Sequence, residues 1–227
     1  MPPMKISCKP NTLFVYDRWI AVDALIQRAY LLDKFGAEFY QLPTLTAGSP
    51  ASDLMDCALP LESRQRGGHQ YWAASWCDVQ SMQLQQDASA WVRQFSDADG
   101  VSYLHDKARR INTTAGRDKA YNMPIHLRTL DECVWYVVGD IAEIDRLLNG
   151  YIHAIGKKAA YGNGALQEYA TGQYWRVEAW PHDWSERDAE GRLTRGLPAT
   201  TLDNAEIYGV RPPYFVRANQ ILMEMPA

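Results

Sequence analysis

The apolar pattern predicts an α+β protein that runs strand, helix, strand, strand, helix, strand. A basic β-hairpin is inserted midway and an extension follows at the C-terminal end. Three observations carry this reading. Cys133 to Val138 is a continuous apolar run with β-branched and aromatic residues, as a strand covered on both faces requires. Residues 20–35 and 140–155 each repeat apolar side chains at three and four, so each presents one apolar helical face. Residues 105–122 are basic and poor in large aliphatics, so they should project from the core. The order β-α-β-β-α-β is that of ferredoxin-like and RNA-recognition-like folds.

In chain order, residues 4–9 form a candidate first strand, ended by Pro10-Asn11. In the first helix Val22, Leu25, Ile26, Ala29 and Leu32 share a face, and Gly36 closes it. Asp23 stands near its start, where a carboxylate complements the helix dipole. Residues 42–56, rich in Pro, Thr, Ser, Ala and Gly, read as a loop. Arg64 and Arg66 stand just before the flexible Gly67-Gly68 and are candidate RNA contacts or a solvated turn. Residues 69–79 are dense with aromatics and read as the second strand, with Trp72 and Trp76 in the core. Residues 81–95 fit strand or helix equally.

The basic segment holds Lys107, Arg109, Arg110, Arg117 and Lys119 against Asp118 alone within 107–119. Gly116 marks a turn near its tip, and a charged loop without structure is the alternative. Residues 123–130 are a candidate strand leading back to Cys133. Asp140 is placed to cap the second helix, with Glu143 at capping-box spacing. Ile141, Ile144, Leu148, Tyr151, Ile152 and Ile155 form that helix's apolar face, and Gly156 stands where a left-handed residue would end it. A last strand is expected over 164–170.

Between that helix and strand lies Gly156-Lys157-Lys158-Ala159-Ala160-Tyr161-Gly162-Asn163-Gly164. Glycines permit sharp turns and close backbone approach. Two lysines supply charge at the bend, and Tyr161 offers a flat ring. The combination suits a sugar-phosphate chain; the plain alternative is a helix cap followed by a tight turn. It is neither a Walker A loop, whose lysine leads into a helix, nor a dinucleotide fingerprint, whose third glycine is replaced by Gln167.

Composition narrows the classes. The chain has 227 residues, 47% hydrophobic and 22% charged, which is ordinary for a soluble globular protein. No run is long enough for a membrane helix and the N-terminal residues lack an apolar signal core, so the expectation is cytoplasmic, without a membrane partner. Cys8, Cys57, Cys77 and Cys133 are scattered without a Cys-x-x-Cys pair, and the histidines are dispersed. Free buried thiols are therefore expected, with no metal and no cofactor. The net charge of −4 argues against indiscriminate coating of nucleic acid, but the basic middle and acidic residues 183–190 polarise the chain.

The chain resembles the RAMP-type proteins of CRISPR–Cas systems, whose shared mark is a glycine-rich loop after the second helix. Ile155-Gly156-Lys157-Lys158 through Tyr161-Gly162-Asn163-Gly164 carries that likeness. Three further stretches are similar to the subunit that caps the crRNA 5′ end in type IV effector complexes. They are Ile20-Ala21-Val22-Asp23-Ala24-Leu25-Ile26, Leu59-Pro60-Leu61-Glu62-Ser63, and Thr114-Ala115-Gly116-Arg117-Asp118-Lys119-Ala120-Tyr121 ahead of Trp135-Tyr136-Val137-Val138-Gly139-Asp140. The resemblance spans residues 5 to about 180 and implies a non-catalytic subunit. Such a subunit grips the 5′ handle of the guide RNA, docks on backbone and large subunits and helps engage target DNA. It implies handle contacts by Lys157, Lys158, Tyr161, Gly162, Asn163 and Gly164. It also implies a thumb-like hairpin at 105–122 whose Lys107, Arg109, Arg110, Arg117 and Lys119 reach guide and target. Residues 1–180 would then be the RNA-recognition-like domain, and 181–227 an extension packed on it. The rival within the same superfamily is a metal-independent crRNA-processing endoribonuclease. It would need a histidine such as His69, His105 or His153 within reach of a 2′-hydroxyl, and the reading places His153 inside the second helix.

Overall fold

The computed structural model describes residues 1–15, 19–78, 86–93, 121–128, 130–156, 159, 162–202 and 205–226. It is a mixed α/β protein of several small antiparallel sheets, with two α-helices among the described residues. Strand β1 (Pro3–Cys8) alternates: Met4, Ile6 and Cys8 are buried in the core and Lys5 points the other way. It becomes the middle strand of the central sheet once strands β9 (Cys133–Val138) and β10 (Trp175–Ala179) pair with it, one on each side, in the order β10-β1-β9.

Helices α1 (Val22–Phe35) and α2 (Ile141–Tyr151) cover one face of this sheet. Ile26 and Ala29 of α1, and Ile144, Leu147 and Leu148 of α2, pack with Met4, Ile6, Trp135 and Trp175 in one core. Two buried tryptophans need acceptors for their indole N–H groups, and both find backbone carbonyls. Trp135 Nε1 donates to Ile20 O at 2.7 Å and Trp175 Nε1 to Ile152 O at 2.6 Å. Outside the core, Arg146 of α2 forks onto both oxygens of Asp33 of α1 at 2.9 and 2.8 Å.

Asp140 caps α2 as expected, its Oδ1 accepting from Ala142 N at 3.1 Å and Glu143 N at 3.2 Å. The reciprocal half of the capping box is missing. Glu143 turns to Arg146, and the Asp140 N–H goes to Pro60 O at 2.9 Å. The helix also stops earlier than its apolar pattern suggested, at Tyr151 rather than residue 155. Near that end Asn149 Oδ1 accepts from the backbone N–H groups of both Tyr174 and Trp175, each at 2.8 Å, tying the helix to the following strand. Ile152, in extended backbone, and Ile155 stay buried beyond it. Gly156 has φ +79°, but it lies beyond the helix and does not cap it.

Two expected strands are corrected. Residues 69–79 do not form one strand. Strand β5 (His69–Trp72) makes a hairpin with β4 (Ser63–Arg66), while β6 (Trp76–Asp78) pairs with β3 (Trp19–Ala21). Only 73–75 continue along β9, through Val138 N to Ala73 O at 3.0 Å and Ser75 N to Tyr136 O at 2.8 Å. The break falls where Arg195 takes the carbonyls of Trp72 and Ala74. Residues 164–170 are not the closing strand either. They make single bridges, Ala165 to Ala154 and Leu166 to Pro10, before a tight turn at Gly172. Strand β10 closes the sheet instead, its Trp175 fully buried.

The stretch that fitted strand or helix is strand β7 (Gln86–Arg93). It pairs with β8 (Tyr121–Arg128) in a ribbon from Gln86↔Arg128 to Arg93↔Tyr121. Strand β2 (Phe14–Val15) pairs with the base of this ribbon, Phe14 opposite Arg128. Of the expected hairpin at 105–122, only Tyr121 and Asn122 are among the described residues.

Past residue 180 the chain forms a second sheet in the order β11-β13-β12, from β11 (Leu197–Pro198), β12 (Ala205–Gly209) and β13 (Gln220–Glu224). Gly196 lets it approach the core: a Cβ there would meet Trp76 Cη2 at 2.7 Å. No helix among the described residues is long and apolar enough to cross a membrane.

Candidate nucleic-acid interface

The glycine-rich loop is held through its backbone. Gly156, Gly162 and Gly164 have φ of +79°, +83° and +68°, a region in which a β-carbon is strained. Its far end lies against the chain that leaves β1. Gly164 N donates to Leu13 O at 3.0 Å, Thr12 Oγ1 donates to Gly162 O at 2.9 Å, and Asn11 N donates to Ala165 O at 2.7 Å. Gln167 N donates to Lys9 O at 2.8 Å, and Ile155 N closes the neck onto Gly164 O at 2.9 Å. These bonds hold the described ends of the loop and leave Gly162 exposed. Asn163 is partly exposed and Gly164 buried, so Gly164 serves the turn rather than a surface. Lys157, Lys158 and Tyr161 lie outside the described residues, as do Lys107, Arg109, Arg110, Arg117 and Lys119.

One segment joins the two regions singled out from sequence. Residues 9–13 hold the glycine-rich loop, and β2, directly after them, pairs with the base of the β7–β8 ribbon. Loop and ribbon are far apart in the chain yet share one short support.

Arg64 and Arg66 sit elsewhere, on the β4–β5 hairpin. The Arg64 guanidinium is ringed by carboxylates, with Glu62 at 2.9 Å, Asp183 at 2.5 Å and Glu186 at 2.8 Å. Burial alone would lower its pKa, but these partners raise it above the ordinary arginine value. Burial likewise opposes ionisation of Asp183, yet Ser185 and Arg64 hold its carboxyl below the usual carboxylate range. Arg66 is bound to Glu224 at 3.3 Å. Both arginines tie the hairpin to the C-terminal region, and a phosphate would have to compete with those carboxylates.

His153 lies outside α2, contrary to the expectation that it falls within that helix. It is exposed beside the neck of the loop, its ring 4.6 Å from that of Tyr174 and its Nε2 3.0 Å from Asn149 O. Leu166 N bonds to the His153 carbonyl at 3.0 Å.

Asp23 lies in the first turn of α1, where a carboxylate is expected to complement the helix dipole, and the structure buries it completely. Tyr214 donates to Asp23 Oδ2 at 2.5 Å, and Arg195 Nη1 stands 4.0 Å from the same oxygen with no side-chain exposure. Burial raises the Asp23 pKa against the pull of Arg195, and burial together with Asp23 raises that of Tyr214. No spacing in the sequence pairs residues this far apart.

The sheet face opposite the helices was also missed. Lys5 and Lys9 alternate with the buried Met4, Ile6 and Cys8, a period of two that was legible in the sequence. Across from Ser7 stands Arg176, whose guanidinium lies 4.0 Å from the ring centre of Tyr169. All four cysteines are buried thiols outside any disulfide, and no described group of His, Cys, Asp and Glu is arranged to hold a metal. A family model described as CRISPR type IV associated protein Csf3 matches residues 41–226 of the chain. No curated protein matches it.

Proposed function

We propose, since the chain belongs to the CRISPR type IV associated protein Csf3 family, that it is a non-catalytic RNA-binding subunit of a type IV effector complex. In this reading it is a RAMP-type protein that grips the repeat-derived 5′ handle of the crRNA. It caps the backbone filament beside the large subunit and helps engage target DNA, in the cytoplasm. The observation that carries it is the glycine-rich loop. Residues 9–13 hold the loop by its backbone, and β2 continues from them onto the β7–β8 ribbon. A handle on the loop would thus lie beside the base of the arm proposed to reach guide and target. A ferredoxin-like core is supported by the side-by-side order β10, β1, β9 and 73–75, with neighbours antiparallel and both helices packed into one core.

Lys157 and Lys158 are the proposed phosphate contacts of the loop, with Tyr161, Gly162 and Asn163 beside them. Replacing both lysines by alanine should weaken binding of the repeat-derived handle RNA. The salt dependence of log K should become shallower by roughly 0.7 for each lost contact with single-stranded RNA. Equal affinity and an equal slope in a fluorescence-anisotropy titration would return the loop to a purely structural turn.

The position of His153 favours a second reading, the metal-independent crRNA-processing endoribonuclease. An exposed imidazole tilted against Tyr174 at the neck of the loop is where a general acid or base for a 2′-hydroxyl would stand. Purified protein incubated with repeat RNA in EDTA separates the two. The binding subunit leaves the RNA whole, whereas cleavage abolished by His153→Ala would make this an enzyme.

A further inference from the structure

We infer that the sheet face opposite the helices is a second contact for the same RNA, a platform on which unpaired bases stack. The inference rests on the RNA-binding reading above but on different residues. At one end four rings adjoin. Tyr136 lies 5.7 Å from Trp180 and 4.9 Å from Trp184, Trp180 lies 5.4 Å from Trp184, and His182 stacks on Trp184 at 5.5 Å with 14° between planes. His182 is exposed and Trp184 half-buried, so the stack ends on a ring open to solvent. Every base has a π-face, so such a stack takes bases with little regard to sequence. Trp180 Nε1 is enclosed and has no acceptor among the described residues.

Cations line the rest of the face. Lys5 Nζ lies 5.8 Å from the Trp180 ring centre, while Lys9 Nζ at 5.7 Å and Arg176 Cζ at 4.0 Å flank Tyr169. Lys5 to Lys9 spans four strand residues, roughly 13 Å. The strip is continuous with the proposed handle site, because the Lys9 carbonyl accepts from Gln167 N just past the glycine-rich loop. Acidic neighbours limit its charge: Glu178 stands opposite Lys5, and Glu132 lies 3.5 Å from the Tyr169 hydroxyl. Alternating cations and rings over a continuous track suit single-stranded RNA rather than a duplex, whose bases are unavailable for stacking.

The test uses the full chain and a fluorescein-labelled single-stranded RNA of the locus's own CRISPR repeat. Trp184→Ala should weaken binding about tenfold with the salt slope unchanged, because stacking releases no counterion. Arg176→Ala should make the slope shallower by roughly 0.7. Ultraviolet cross-links should map to residues 180–184. If Trp184→Ala fails to fold, the exposed His182→Ala and Arg176→Ala carry the same test. Should these variants bind like the unaltered chain, without cross-links at 180–184, while the Lys157/Lys158 double variant binds weakly, the platform is wrong and the loop reading stands. Failure of the unaltered chain to bind the RNA overturns both. Loss of partner subunits with RNA affinity intact overturns the platform and makes this face a protein interface.

Discussion

Arg195→Met is expected to cost about 3–5 kcal/mol of folding stability, the usual penalty for removing one partner of a buried ionic contact. The guanidinium has no exposed surface and serves three parts of the molecule at once. It donates to the carbonyls of Trp72 and Ala74 in the broken aromatic segment, to Val210 O at 3.1 Å and Gly196 O at 3.1 Å, and it faces Asp23 at 4.0 Å. Methionine fills similar volume but leaves these acceptors unpaired and the Asp23 carboxylate without its counter-charge. Urea titration of the two proteins measures the loss, and a difference below about 1 kcal/mol would show that the cluster contributes little.

The sign of the pH dependence follows from Asp23. Its folded-state pKa is raised by burial, so its contribution to stability is full below the ordinary carboxyl pKa and is lost as pH rises through the folded value. Removing Arg195 raises that pKa further. The deficit of the variant should therefore narrow as pH falls from 8 towards 5. Adding Asp23→Asn should recover part of the loss, because the amide accepts from Tyr214 without carrying a buried charge.

Replacing residues 109–119 with a short Gly-Ser bridge should leave folding stability nearly unchanged while target-DNA binding falls by about tenfold or more at physiological salt. The ladder between β7 and β8 ends at Arg93↔Tyr121. The excision therefore lies beyond every described pair of the ribbon and spares β2 at its base. It removes Arg109, Arg110, Arg117 and Lys119, and counterion release scales with the charges lost. The shortened protein is expected to join the complex, because the proposed handle grip lies on the glycine-rich loop. Unfolding of the variant would make the segment a core element. Intact target binding would make it a solvated loop.

What was legible in the sequence was what short-range pattern encodes. The apolar run of β9, the alternation in β1, the helical faces of α1 and α2 and the Asp140 cap follow from periodicities of two and 3.6 and from one capping residue. The glycines of the glycine-rich loop were legible as turn residues, because left-handed backbone at Gly156, Gly162 and Gly164 calls for glycine wherever it occurs. Which strand pairs with which is another matter. Residues 164–170 were expected as the closing strand, and β10 took the place beside β1. Its Trp175 fits the core and bonds Ile152 O, and Asn149 accepts its backbone N–H. The aromatic stretch was broken by an arginine more than a hundred residues later in the chain, which claims its carbonyls. Asp23 lay at a helix start, where solvation is the default, and became buried because Tyr214 and Arg195 close over it. Local propensity is written in neighbouring residues and so determines elements. Pairing, burial of charge and the joining of loop to ribbon depend on contacts whose partners lie far along the chain, and only the tertiary structure decides them.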